Sequence, residues 1–163
     1  FHKRQMMFDE NGQEYTDNVE RAIFYARGVL ETVKKLRWCP DVIHCQGWMS
    51  AIAPLYIKTA YREDPPFANA RVVYNDFNVY PTTGLGERFA ESLAFRGASI
   101  DLLERQGVDF SAPDALGQMA AGFSDGLVLA EGQDAGSLAQ FAAAHNIPTL
   151  ANPVGTDLSL IPI

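Results

Sequence analysis

Residues Asp41–Lys58 read DVIHCQGWMSAIAPLYIK: an apolar run, a polar knot at His44-Cys45-Gln46-Gly47-Trp48, and an apolar stretch with helical spacing. Asp41 to His44 holds two β-branched residues directly after Pro40 and is too short for a helix, so it reads as a buried strand. A helix is expected from about Gly47 to Tyr61. Pro54 must kink it or break it into turns, because proline removes a donor and clashes with the preceding turn. A strand handed straight to a helix opens a β–α–β unit.

The same alternation extends outward in both directions. Upstream, Asp17 with Glu20 three residues on reads as an N-cap and its capping-box partner. Val19, Ile23, Ala26, Leu30 and Val33 then recur at spacings of four and three, which predicts one buried helical face from about Asn18 to Arg37. Downstream, Arg71 to Tyr74 reads as a second strand, Asp125 to Ala130 as a third and Ile147 to Ala151 as a fourth. Between them, Glu87 to Phe95, Ile100 to Arg105, a segment opened by Ser111-Ala112-Pro113-Asp114, and Ala135 to His145 read as helices, with Pro113 suited to a first turn. Alternating strands and helices imply parallel strands joined by right-handed crossovers, an α/β, doubly wound, Rossmann-like parallel sheet. With 163 residues, one domain over 1–163 is expected.

The formal charge of −7, with no basic stripe, argues against nucleic acid or an anionic membrane as partner. Lys34, Lys35 and Arg37 suit the end of a helix, where cations meet its dipole. No apolar run reaches the roughly 20 residues that span a bilayer. Cys39 and Cys45 lack the ligand set of a zinc site and read as reduced thiols, and the opening FHKR lacks an apolar leader, so a cytoplasmic protein is expected. The chain starts at Phe1 with local structure signals already by Asp9, which is expected of a piece of something longer.

In sheets of this kind ligands gather beyond the carboxyl ends of the strands. The candidate segments are Cys45 to Trp48, Asn75 to Asn78, Glu131-Gly132-Gln133 and Asn152 to Gly155. Gln46 and Gly47 either permit a tight turn or aim helix N–H groups at phosphate or sugar oxygens. Trp48 either stacks on a sugar or plugs the space between sheet and helix. Asp76 and Asn78 either bind hydroxyls or bond their own turn. His44 reads as a core residue, and the carboxylates of Glu131 and Asp134 as helix-start acids. No dinucleotide fingerprint, P-loop, nucleophile elbow or HExxH pattern is present, so dehydrogenase, kinase, hydrolase and metalloprotease readings lack support.

FDENGQEYTDNVERAIFYARGVLE followed by WCPDVIHCQGWMSAIAPLYIK resembles the amino-terminal domain of bacterial glycogen synthases and plant starch synthases, a glycosyltransferase family of GT-B fold. Tyr15, Asp17, Asn18, Arg21, Trp38, Pro40 to His44, Trp48, Ala53, Pro54 and Tyr56 match its motifs in order, and Phe1 to Arg4 is similar to the segment before them. ARVVYNDFNVY is similar to the family's strand ending in His-Asn, with Asn78 in the Asn place, and GFSDGLVLAEG is weakly similar to a later strand.

The resemblance implies one half of a GT-B fold, ADP-glucose or UDP-glucose as donor, an α-1,4-glucan as acceptor, and transfer with retained anomeric configuration in a cleft between two domains. It also exposes departures. Gln46-Gly47 stands where the family has His-Asp, Met49 where it has His, and Phe77 where it has the His of His-Asn. Glutamine replaces a hydrogen bond but not a titratable group. The expectation is a glucosyltransferase-type domain that does not catalyse by itself, with sugar or glucan binding through Gln46, Gly47, Trp48 and Asn78. No catalytic residue, metal or cofactor is assigned. Nucleotide sugar or α-glucan is the expected partner, with a homodimer or a missing second GT-B domain as further possibilities. The alternatives are a fragment of a longer active synthase and a non-catalytic interaction scaffold.

Overall fold

The computed structural model describes residues 7–82, 85 and 87–151; Phe1 to Arg4 and Asn152 to Gly155, both named above, lie outside them. The strands are β1 (Val42–Gln46), β2 (Arg71–Asn75), β3 (Gly126–Leu129) and β4 (Thr149–Ala151). The helices are α1 (Asn18–Lys35), α2 (Ala53–Lys58), α3 (Glu87–Leu93), α4 (Ile100–Arg105), α5 (Ala115–Gly122) and α6 (Ser137–Ala144). All four strands are parallel and lie in the order β1-β2-β3-β4, with Cys45 beside Tyr74 and Tyr74 beside Leu127. The parallel α/β sheet read from the sequence is therefore present, and the strand-order reversal of a doubly wound sheet does not fall among the described residues.

Side-chain alternation sorts the sheet into two faces. Cys45, Val72, Tyr74, Leu127 and Leu129 are buried, whereas Val42, His44, Gln46 and Arg71 on the opposite face are exposed. Helices pack in sequence against one another, α1 on α2, α2 on α5 and α5 on α6. Tyr56 and Tyr61 hold this layer together. The Tyr56 hydroxyl donates to the Leu93 carbonyl at 2.9 Å and the Tyr61 hydroxyl to the Glu31 carboxylate at 2.8 Å. Both rings flank Phe95, and the Arg27 guanidinium lies 4.2 Å from that ring's centre.

Four local expectations are corrected. His44 is exposed rather than in the core, because its position in β1 puts it on the open face. Asp17 precedes α1 but makes no side-chain capping bond, so the capping box is not formed. The helix start is locked instead by Asn18, whose amide donates to the Met7 carbonyl at 3.0 Å while its oxygen accepts from Arg21 at 2.8 Å. The expected Gly47–Tyr61 helix is a 3-10 turn over Trp48–Ser50 followed by α2, with Pro54 in the first turn of α2, where its missing N–H costs nothing. Pro113 lies before the α5 cap Asp114 rather than inside the helix.

Candidate functional site

The end of β1 is tied into the protein itself. Gly47 N–H donates to the Asn75 carbonyl at 2.9 Å, and the Ser50 hydroxyl donates to the carbonyls of Gln46 and Gly47 at 2.9 and 3.1 Å. Gly47 has φ 67° and ψ 178°, and a Cβ built on it would come within 3.0 Å of the Phe77 ring. The Phe77 ring thus fills the space above the turn where a side chain at 47 would stand. Trp48 is 6% exposed and belongs to the hydrophobic core. Gln46 is exposed and pairs with its neighbour His44, Nε2 to Nδ1 at 3.3 Å. A three-residue 3-10 turn carries no appreciable helix dipole, so of the two readings at Gln46 and Gly47 the geometry is that of the tight turn.

The opening lies one strand over. At the carboxyl ends of β2 and β3 a cavity of about 630 Å³ is lined by Asp76, Asn78, Tyr80, Phe110, Asp114, Gln133 and Ser137 among others. Its floor holds two buried carboxylates, Asp76 at 2% and Asp114 at 7% exposure. The backbone N–H of Asp76 donates to the Val128 carbonyl at 2.8 Å, extending the β2–β3 ladder by one residue and aiming the side chain into the opening. Its carboxylate accepts from the Tyr80 hydroxyl and from the backbone N–H groups of Phe77 and Asn78. Burial pushes the Asp76 carboxyl above the usual carboxylate range, and the nearby Asp114 charge adds to this, against those hydrogen bonds. Burial likewise pushes the Tyr80 phenol upward, so Tyr80 stays protonated as the donor.

Asp114 accepts from the Gln118 side-chain amide at 2.9 Å and from the Ser137 hydroxyl, which fastens the start of α5 to the start of α6. Gln118 in turn accepts the Asp109 N–H at 2.9 Å. Asn78, in the left-handed region at φ 53°, is exposed at the rim. No Lys, Arg or His is among the described residues lining the cavity.

Of the residues singled out in the sequence, Asn78, Asp76 and Gln133 come together at the cavity; Gln46, Gly47 and Trp48 do not line it, and Glu131 stays exposed outside it. Tyr80, Asp114 and Ser137 escaped the sequence reading. Asp114 had one legible signal: Gln118 sits one turn along in an otherwise apolar helix, and a polar side chain buried there must have a partner. Tyr80 and Ser137 carry no such signal.

A parallel α/β sheet with a mixed apolar and acidic pocket at its carboxyl edge is the arrangement in which open α/β domains hold small molecules. The profile of the starch synthase catalytic domain matches residues 1–124, and the chain belongs to that family. It is 36% identical over 110 residues to the glycogen synthase of Thermodesulfovibrio yellowstonii, covering 68% of this chain and 22% of that protein. With the glycogen synthase of Chlorobium limicola it shares 39% identity over 82 residues, covering 49% of this chain and 17% of that protein. The catalytic domain of starch synthase IV from Arabidopsis thaliana, solved with ADP and acarbose, superposes with a TM-score of 0.64 at 20% identity, over 86% of this chain and 31% of that one, and shows that the chain shares the fold of one part of that GT-B domain. The chain therefore spans about a fifth of the length of the relatives it matches. No helix among the described residues is long and apolar enough to cross a membrane.

Proposed function

We propose that this glycogen-synthase-like domain binds the sugar ring of an α-glucan, in the cytoplasm, at the cavity between the ends of β2 and β3, and does not transfer glucose by itself. The observation that carries the reading is the pairing of two buried carboxylates, Asp76 and Asp114, with the apolar wall of Phe110 and Leu138. Carboxylates accept from vicinal hydroxyls, charge-assisted, while the ring's C–H face lies on apolar carbon. Asn78, Gln133 and Ser137 add neutral donors and acceptors at the rim.

The same lining disfavours a nucleotide diphosphate, since a pyrophosphate would enter beside two carboxylates with no lysine or arginine among the described lining residues to offset it. A neutral glucan meets no such opposition. At the β1 end Gln46, Gly47, Met49 and Phe77 supply no imidazole to the transferring sugar, and one side of a cleft cannot exclude water from the reacting atoms.

Titration of the chain with maltotriose is expected to shift the amides of Asn78, Asp114 and Ser137. Asp114→Asn is expected to weaken that binding about tenfold, the loss of about one charge-assisted hydrogen bond. Amides that stay unmoved at millimolar maltotriose, or that move with millimolar ADP-glucose alone, would overturn the reading. The second reading, a piece of a longer active synthase, is favoured by the 17% and 22% of the relatives' lengths that the matches cover. Labelled-glucose incorporation into glycogen by a longer product of the same gene, lost on truncation to these residues, is its test.

A further inference from the structure

The outer face of α1 presents an apolar groove of about 400 Å³, with Tyr25, Gly28, Val29, Thr32, Leu36 and Trp38 among its lining residues. Leu36 is 70% and Trp38 60% exposed, far more apolar area than a helix surface ordinarily leaves to water. Gly28 lies inside this helix, where glycine is a weak helix former. A Cβ built there would meet no atom of the described residues within 4 Å, so nothing among them requires glycine at this position. A second backbone crossing closely would.

We propose that this face is the interface of a homodimer in which two α1 helices cross antiparallel. The exposed ridge Phe24, Gly28, Thr32, Leu36 runs large, small, small, large at intervals of four residues. A two-fold axis between Gly28 and Thr32 therefore sets Phe24 of one copy against Leu36 of the other at both ends and the small residues against each other at the centre. That is the ridge-into-groove packing of two like helices. Antiparallel copies also set opposed helix dipoles side by side and bring the exposed Lys35 of one copy toward the acidic first turn, marked by Glu20, of the other; Lys34 is already held by Asp64 of its own protomer at 3.2 Å. A palindromic arrangement of size fits a second copy of this chain; an unrelated partner has no need of it.

Sedimentation of the chain at tens of micromolar is expected to give a dimer. Gly28→Leu, which meets open space in the protomer, is expected to weaken dimerisation by at least about tenfold while the thermal midpoint of the monomer holds or rises. Should that variant fail to fold, Leu36→Asp at the exposed end of the ridge carries the same expectation. A wild-type chain that sediments as a monomer overturns the proposal, as does a dimer that survives both changes. Dispersal by Leu150→Asp, on the open face of the sheet, with Gly28→Leu still dimeric would place the contact there and overturn it equally.

Discussion

Asp76 shows how little a residue's name says about its role. Asp-Phe-Asn after a strand is ordinary turn chemistry, yet the next strand's ladder turns this carboxylate inward and leaves it 2% exposed. Its raised pKa has a definite consequence for stability. Between the model-peptide value of 3.8 and its higher folded value, the native state holds a proton that the unfolded chain has released. Stability therefore falls as pH rises through that window. In Asp76→Asn this fall is expected to disappear, read from urea midpoints of both proteins between about pH 4 and about pH 7. Parallel curves for the two proteins would mean that the carboxyl is not the group responsible. Trp48 makes the converse point: an aromatic beside a strand-end glycine looks like a sugar platform, and the structure spends it on the core.

At the scale of elements, two helical glycines separate propensity from packing. Gly28 in α1 faces open space, so Gly28→Ala is expected to stabilise the protomer by about 0.5–1 kcal/mol through helix propensity. Gly117 in α5 lies directly against the Tyr80 hydroxyl, so a Cβ there displaces Tyr80 and breaks its bond to Asp76. Gly117→Ala is expected to cost about 1–3 kcal/mol, the usual range for overpacking. Opposite signs in chemical denaturation check the pair; equal signs refute the placement of Tyr80. The helix α1 was legible beforehand because one apolar face repeats at 3.6-residue spacing. The Trp48–Ser50 turn was not, because Met49, Ala51 and Ile52 are apolar for reasons of burial, which a helix and a compact turn share.

For the molecule as a whole, one contribution to stability in acid lies where three elements meet. Asp125, just before β3, accepts from the Lys58 ammonium of α2 at 2.7 Å and from the Val72 N–H of β2 at 2.8 Å, with Arg71 at 3.5 Å. Burial alone would raise this carboxyl; the hydrogen bonds and charges override it and hold it below the ordinary 3.8. Its contribution is present above that value and lost as pH falls through the lowered one. Asp125→Ala is expected to cost about 1–3 kcal/mol near neutral pH and to flatten the acid limb of the unfolding curve. An unchanged acid midpoint would assign the limb elsewhere. The amino-acid order by itself determined the alternation of strands and helices, the buried stripe of α1, the parallel sheet and the family, because periodicity and ordered motifs are local and survive in one dimension. Only the tertiary structure decided where the opening lies. Asp76, Tyr80, Asp114 and Ser137 meet through the β2–β3 pairing and the packing of α5 on α6, and Phe77 closes over Gly47 from another strand, contacts between segments far apart in the chain that no local pattern encodes.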